Sequence, residues 1–288
     1  MLIRYGYSLT LATDYDTPVV TLLDIHPDRR GDVLAERPVR TSPIVPGTTF
    51  HDSFGNICRR FKVPAGTFTL SAGGVIVDTG QADAVAPDAE EIPVDRLPDS
   101  TLVFLLGSRY CETDQLSQMA WDLFGSVQPG WTRVQAIADY VHDRITFGYG
   151  HARSTRTALE AHRERVGVCR DFAHLAIALC RCMNIPARYV NGYLGDIAVP
   201  AVPDPMDFSA WFEVFLGGRW YTFDARHNRP RVGRIVIARG RDATDVPLIH
   251  SFGPHQLVDF SVVTEEVDSH GRPLEQQQVA VARAAAAF

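Results

Sequence analysis

Between Gly167 and Pro186 the apolar residues fall on one helical stripe, and directly afterwards the hydrophobic period drops to two. Phe172, Leu175, Ala176, Leu179 and Met183 repeat at helix spacing. Gly167 breaks the chain before them, and Asn184 and Pro186 close the run. Arg188 to Leu194 then reads as a strand, and so do 207–216 and 219–226. The last two runs are joined by Gly217-Gly218, a two-residue link that signals a tight hairpin. A one-sided apolar helix followed by strands requires a fold that mixes helix and sheet.

Cys169 falls in the first turn of that helix. Unpaired N–H groups and the helix macrodipole favour an anion there, and so favour thiolate, the nucleophilic form of cysteine. The plainer account of one cysteine is a small buried residue; Cys180 and Cys182, further down the helix, are read that way. Register from the Gly217-Gly218 turn sets Leu216 opposite Arg219, Trp211 opposite Asp224 and Ser209 opposite Arg226. Ser209, Trp211 and Glu213 then share a sheet face with Thr222, Asp224 and Arg226. Ser209 and Asp224 become diagonal neighbours about 7–8 Å apart. Asp171 and Arg170 are read as helix-end chemistry, the aspartate suited to the dipole and the arginine solvated. Trp211 and Trp220 are read as core aromatics.

The first eighty-odd residues differ in character. Ile3, Tyr5, Tyr7 and Leu9 alternate with polar or small residues, and 48–51 and 56–61 flank the turn Asp52-Ser53-Phe54-Gly55. This predicts an all-β domain over 1–82. Residues 83–100 are acidic and carry Pro87, Pro93 and Pro98, the composition of a linker. The second domain, 101–288, opens with helical patterns at 113–124 and 132–145, then a capping box at Thr157-Ala158-Leu159-Glu160. The alanine-rich end, 276–288, reads as a frayed helix or a tail.

A net charge of −6 argues against nucleic acid as a partner. Five scattered cysteines do not form a disulfide framework. No two histidines fall at ligand spacing with a carboxylate, so no metal and no cofactor are expected. No apolar run is long enough to span a bilayer or serve as a signal peptide, so a cytoplasmic protein without membrane contact is expected.

Four segments in this order resemble the bacterial transglutaminase-like family: Gly-Val-Cys-Arg-Asp-Phe-Ala-His-Leu at 167–175, Arg-Tyr-Val-Asn-Gly-Tyr-Leu at 188–194, Ala-Trp-Phe-Glu-Val at 210–214, and Trp-Tyr-Thr-Phe-Asp-Ala-Arg-His-Asn at 220–228. The resemblance runs from about Ser108 to Phe252, and the first ninety residues resemble the β-rich region that accompanies this core in bacteria. Members are often named as candidate cysteine proteases. The resemblance implies a β-sandwich followed by a papain-like α+β core carrying a Cys–His–Asp triad. Cys169 matches the nucleophile and Asp224 the acid. The family's histidine position holds Ser209, which has no proton-accepting group near neutral pH.

Three readings of that serine compete. Another imidazole fills the space, or the protein is a retired enzyme that binds peptides, or the serine is an inactivating replacement. His250 is the first candidate imidazole. His227 would point away from Asp224 if the strand continued through it, and His174, in the second helical turn five residues after Cys169, is expected to point elsewhere. The expected chemistry is attack by Cys169 on a peptide amide or glutamine side chain, giving a thioester resolved by water or an amine. The expected partner is a protein or peptide substrate, with oligomeric state left open.

Overall fold

The computed structural model describes residues 1–202 and 206–274. The chain begins with six strands: β1 (Leu2–Thr13), β2 (Thr17–Thr21), β3 (Val33–Ser42), β4 (Gly47–His51), β5 (Ile57–Val63) and β6 (Gly66–Val77). Along β1 the alternation places Ile3, Tyr5, Tyr7, Leu9 and Leu11 in the core. Helices follow as α1 (Asp99–Leu102), α2 (Thr113–Phe124) and α3 (Trp131–Arg144). Next come β7 (Thr146–Phe147), α4 (Ala158–Glu164), β8 (Val166–Gly167) and α5 (Cys169–Cys182). The chain then runs through β9 (Ala187–Tyr193), β10 (Phe208–Leu216), β11 (Arg219–Phe223), β12 (Ile235–Gly240), β13 (Ile249–Ser251) and β14 (Gln256–Val267).

The central antiparallel sheet has the order β11-β10-β9-β12. Helix α5 packs on β10 and β9, with α2, α3 and α4 around it. The helix is buried on every side from Asp171 to Cys182, not only along the expected stripe of Phe172, Leu175, Ala176 and Leu179, because elements pack around it. Cys180 and Cys182 are buried on the same helix, as expected. The hairpin turn is as read, with Leu216 opposite Arg219 and positive φ at Gly217 (55°) and Gly218 (89°). The capping box of α4 is present, with Glu160 N–H bonded to Thr157 Oγ1 and Thr157 N–H to Glu160 Oε2.

Three sequence expectations change. First, the ladder between β10 and β11 stops at Phe212–Phe223, so 224–226 leave the strand. Second, the β unit draws on both ends of the chain. Its sheets have the orders β14-β1-β6-β3 and β13-β2-β5-β4, so strands expected in the second domain complete the first. β6 satisfies the backbone groups along one edge of β1, and β14 pairs the other edge, which would otherwise stand open. Third, 83–100 is packed rather than loose. Asp83 pairs with Arg234 at 2.9 Å, Glu91 with Arg133 at 2.8 Å, and the Ala89 carbonyl accepts Trp131 N–H at 2.9 Å. Two of its acidic residues, Asp83 and Glu91, are counter-charges for arginines beyond it, while Asp88, Glu90, Asp95 and Asp99 are exposed.

Candidate active site

Cys169 is the first residue of α5 and lies two residues after Gly167. A Cβ on Gly167 would stand 2.7 Å from Asp171 Cβ and 2.8 Å from its Oδ2, so glycine is required for this approach. Asp171 is buried; its Oδ2 accepts Val168 N–H at 2.9 Å and Arg156 Nη1–H at 3.1 Å. The carboxylate thus closes the helix N-terminus, as the sequence suggests. Arg170 is less solvated than expected. Its guanidinium donates to the carbonyls of Arg153 and Ser154 and lies over the Tyr110 ring at 5.4 Å.

The thiol sits among opposing influences. Burial pushes the Cys169 thiol up; the Arg226 guanidinium and the Ala210 backbone N–H pull it down, and Asp207 and Asp224 add to the rise. The balance is upward, so the neutral thiol is favoured at rest. This corrects the expectation from the helix dipole alone, because the dipole acts at a site partly removed from water. Arg226 lies over the Phe147 ring at 3.6 Å and over the Tyr149 ring at 6.0 Å.

Asp224 lies one residue beyond β11 and is buried. Its Oδ1 accepts the His227 backbone N–H at 3.1 Å, and its carbonyl accepts Asn228 N–H at 2.7 Å, which forms a turn. That turn brings the His227 ring back, with Nδ1 2.8 Å from Asp224 Oδ2. The same oxygen accepts Arg234 Nη2–H at 2.8 Å. Burial would raise the Asp224 pKa, but Arg234 and His227 outweigh it and hold the carboxyl well below the usual carboxylate range. Helix α3 anchors the turn: His142 donates to the Ala225 carbonyl at 3.0 Å, and Asn228 bonds Asp139 at 2.8 Å. His227 is the residue that strand parity misplaced. Parity holds only while the strand continues, and the strand ends at Phe223.

The remaining candidates are placed as follows. Ser209 is buried on β10, with its Oγ unpartnered among the described residues. His250 is not brought to the thiol. It lies on β13 opposite Val20 of β2, exposed, with its ring against Phe252. The segment that carries it pairs with β2 in a sheet of the β unit. His174 is buried; its Nε2 accepts Ala243 N–H at 3.1 Å and its ring stacks on Tyr110. Among the described residues, which include all ten histidines, no imidazole hydrogen-bonds the Cys169 sulfur, and no cluster of three metal-binding side chains is found. Trp211 is core, while Trp220 is partly exposed between Phe104 and Arg188.

The model of the transglutaminase-like superfamily matches residues 118–225, the span that holds Cys169, Ser209 and Asp224. The crystal structure of a Cytophaga hutchinsonii protein described as a candidate cysteine protease is 30% identical, with a TM-score of 0.81, over 96% of this chain and 93% of that one. The chain belongs to the bacterial transglutaminase-like family. An uncharacterised Mycobacterium tuberculosis protein is 30% identical over 240 residues, which are 75% of this chain and 76% of that protein. An uncharacterised Mycobacterium leprae protein is 32% identical over 136 residues, and the match spans about half of that relative (48%). The Cytophaga hutchinsonii structure shares this fold across both the core and the β unit. No helix among the described residues is long and apolar enough to cross a membrane.

Proposed function

We propose that this transglutaminase-like protein carries out thiol-dependent acyl chemistry on peptide amide bonds or glutamine side chains, with Cys169 as nucleophile and Asp224–His227 as the carboxylate–imidazole pair. The observation that carries the reading is the 2.8 Å bond from His227 Nδ1 to the buried Asp224, the orientation a general base needs from its carboxylate. In this reading His227, on the turn after β11, serves in place of the imidazole that Ser209 does not supply. In this reading the imidazole removes the thiol proton as sulfur attacks the carbonyl carbon, and the Cys169 backbone N–H receives the developing oxyanion. His227 then gives the proton to the departing amine or ammonia, and water or a second amine resolves the thioester. Hydrolysis is the favoured outcome, because choosing an amine over water requires an acceptor site that no described feature marks. A protein or peptide is the substrate class, with neither nucleic acid nor membrane as partner. A cytoplasmic setting suits a nucleophile that must remain a thiol, and all five cysteines are unpaired.

A second reading is a catalytically impaired member of the family that binds peptides. Two observations favour it: no imidazole is bonded to the sulfur, and burial pushes the thiol up. Release of ammonia or new amino termini from casein decides between them, measured for the wild type, Cys169→Ala, His227→Ala and Ser209→His. The proposed enzyme loses turnover in Cys169→Ala, falls about 10²–10⁴-fold in His227→Ala, and gains little from Ser209→His. An inert wild type that Ser209→His makes active establishes the impaired reading.

A further inference from the structure

Arg234 lies nine residues outside the matched family core and is buried. Its guanidinium holds two carboxylates at once: Nη2 donates to Asp224 Oδ2 at 2.8 Å, and Nε donates to Asp83 Oδ2 at 2.9 Å. The group lies over the Trp211 ring with its carbon 4.8 Å from the centroid. Asp83 is fixed in turn by Arg231, whose backbone N–H donates to Asp83 Oδ2 at 2.9 Å and whose carbonyl accepts Asp83 N–H at 2.9 Å. A chain of charge therefore runs Asp83–Arg234–Asp224–His227. Its first member comes from the segment that links the β unit to the helices.

We infer that Arg234 is a positioning residue that sets the proton affinity of His227 through Asp224, and that Asp83 tunes Arg234 from outside the family core. The inference rests on the reading of Asp224–His227 as the acid–base pair. Asp224 Oδ2 accepts from His227 and Arg234 together, so the guanidinium competes with the imidazole for the charge on one oxygen. A carboxylate with no second cation would bind the imidazolium more strongly and keep His227 protonated to higher pH. Arg234 weakens that hold while fixing the carboxylate plane. Asp83 acts with opposite sign, because it takes part of the guanidinium charge away from Asp224. The Asp83 and Arg234 contacts also make the site depend on the link between the two halves of the chain, which a 118–225 core does not contain.

The test is an NMR titration of the His227 imidazole in the full-length protein, with the resonance assigned by its loss in His227→Gln. Arg234→Gln is expected to raise the midpoint by about one pH unit, roughly tenfold in proton affinity, as for loss of a nearby opposite charge on the carboxylate. Arg234→Lys restores most of the wild-type midpoint. Asp83→Asn shifts it the other way, downward. Folded Arg234→Gln with an unchanged midpoint overturns the inference, and so does a shift of the same sign in Arg234→Gln and Asp83→Asn. If Arg234→Gln does not fold, Asp83→Asn still gives a signed shift against the wild type, and an unmoved or upward midpoint there overturns the inference. These titrations do not require turnover. An inactive wild type counts against the proposed function, whereas unmoved midpoints count against the role of Arg234.

Discussion

Two partners on one oxygen make Asp224 the residue whose charge state matters most to the site. Its folded-state pKa is depressed, so its pairing adds stability at pH values above about 4, the unfolded value. That stability is lost as pH falls from there toward the folded pKa. Asp224→Asn should therefore be less stable than the wild type at pH 7, and the gap should narrow as pH falls below about 4, checked by urea unfolding at each pH. Two buried histidines act over a higher window. Burial holds His174 neutral and lowers it to about 3, and burial together with Arg239 lowers His26 to about 4. The unfolded chain binds those protons first, so stability should fall as pH drops below about 6.5, by about 1.4 kcal/mol per unit per group. His174→Gln should remove its share of that slope, and an unchanged slope would contradict the assignment. At this scale the sequence placed Cys169 at a helix start, because that follows from local spacing, whereas Asp224, expected opposite Trp211 in the strand, lies one residue past its end. It could not place His227, whose position depends on where a strand stops, nor Arg234, whose role depends on contacts with distant residues.

The element that positions the thiol is the start of α5, and its tightest point is Gly167 against Asp171. A methyl there meets Asp171 Cβ at 2.7 Å, so the cap must shift. Gly167→Ala should cost about 1–3 kcal/mol in urea unfolding and slow alkylation of Cys169 by iodoacetamide. A stable variant with unchanged alkylation would show that the approach is not needed. The helix and the Gly217-Gly218 hairpin were legible because period and turn chemistry are local signals. The ends of β11 were not, since strand length depends on which partner remains to pair with it.

On the scale of the whole molecule, one core joins residues from both ends of the chain, including Ile3, Leu9, Phe172, Phe212 and Val262. The β character of 1–82 was readable from alternation, but the return of 249–267 to pair with β1 and β2 is a long-range choice that no local pattern encodes. A fragment of residues 101–288 would carry β13 and β14 without their partners, so it should lack a cooperative thermal transition. A cooperative transition in that fragment would show that the halves fold independently. The central claim is that this two-part molecule presents Cys169 as a nucleophile served by Asp224–His227. Its most direct measurement uses p-nitrophenyl acetate, following the nitrophenol burst together with the mass of acetylated Cys169 in the wild type, Cys169→Ala and His227→Ala. The account predicts a burst equal to the protein concentration with acetate on Cys169, no burst in Cys169→Ala, and slowed acylation and deacylation in His227→Ala. A burst with the same rates in His227→Ala as in the wild type, or acetylation spread over other residues, would contradict it.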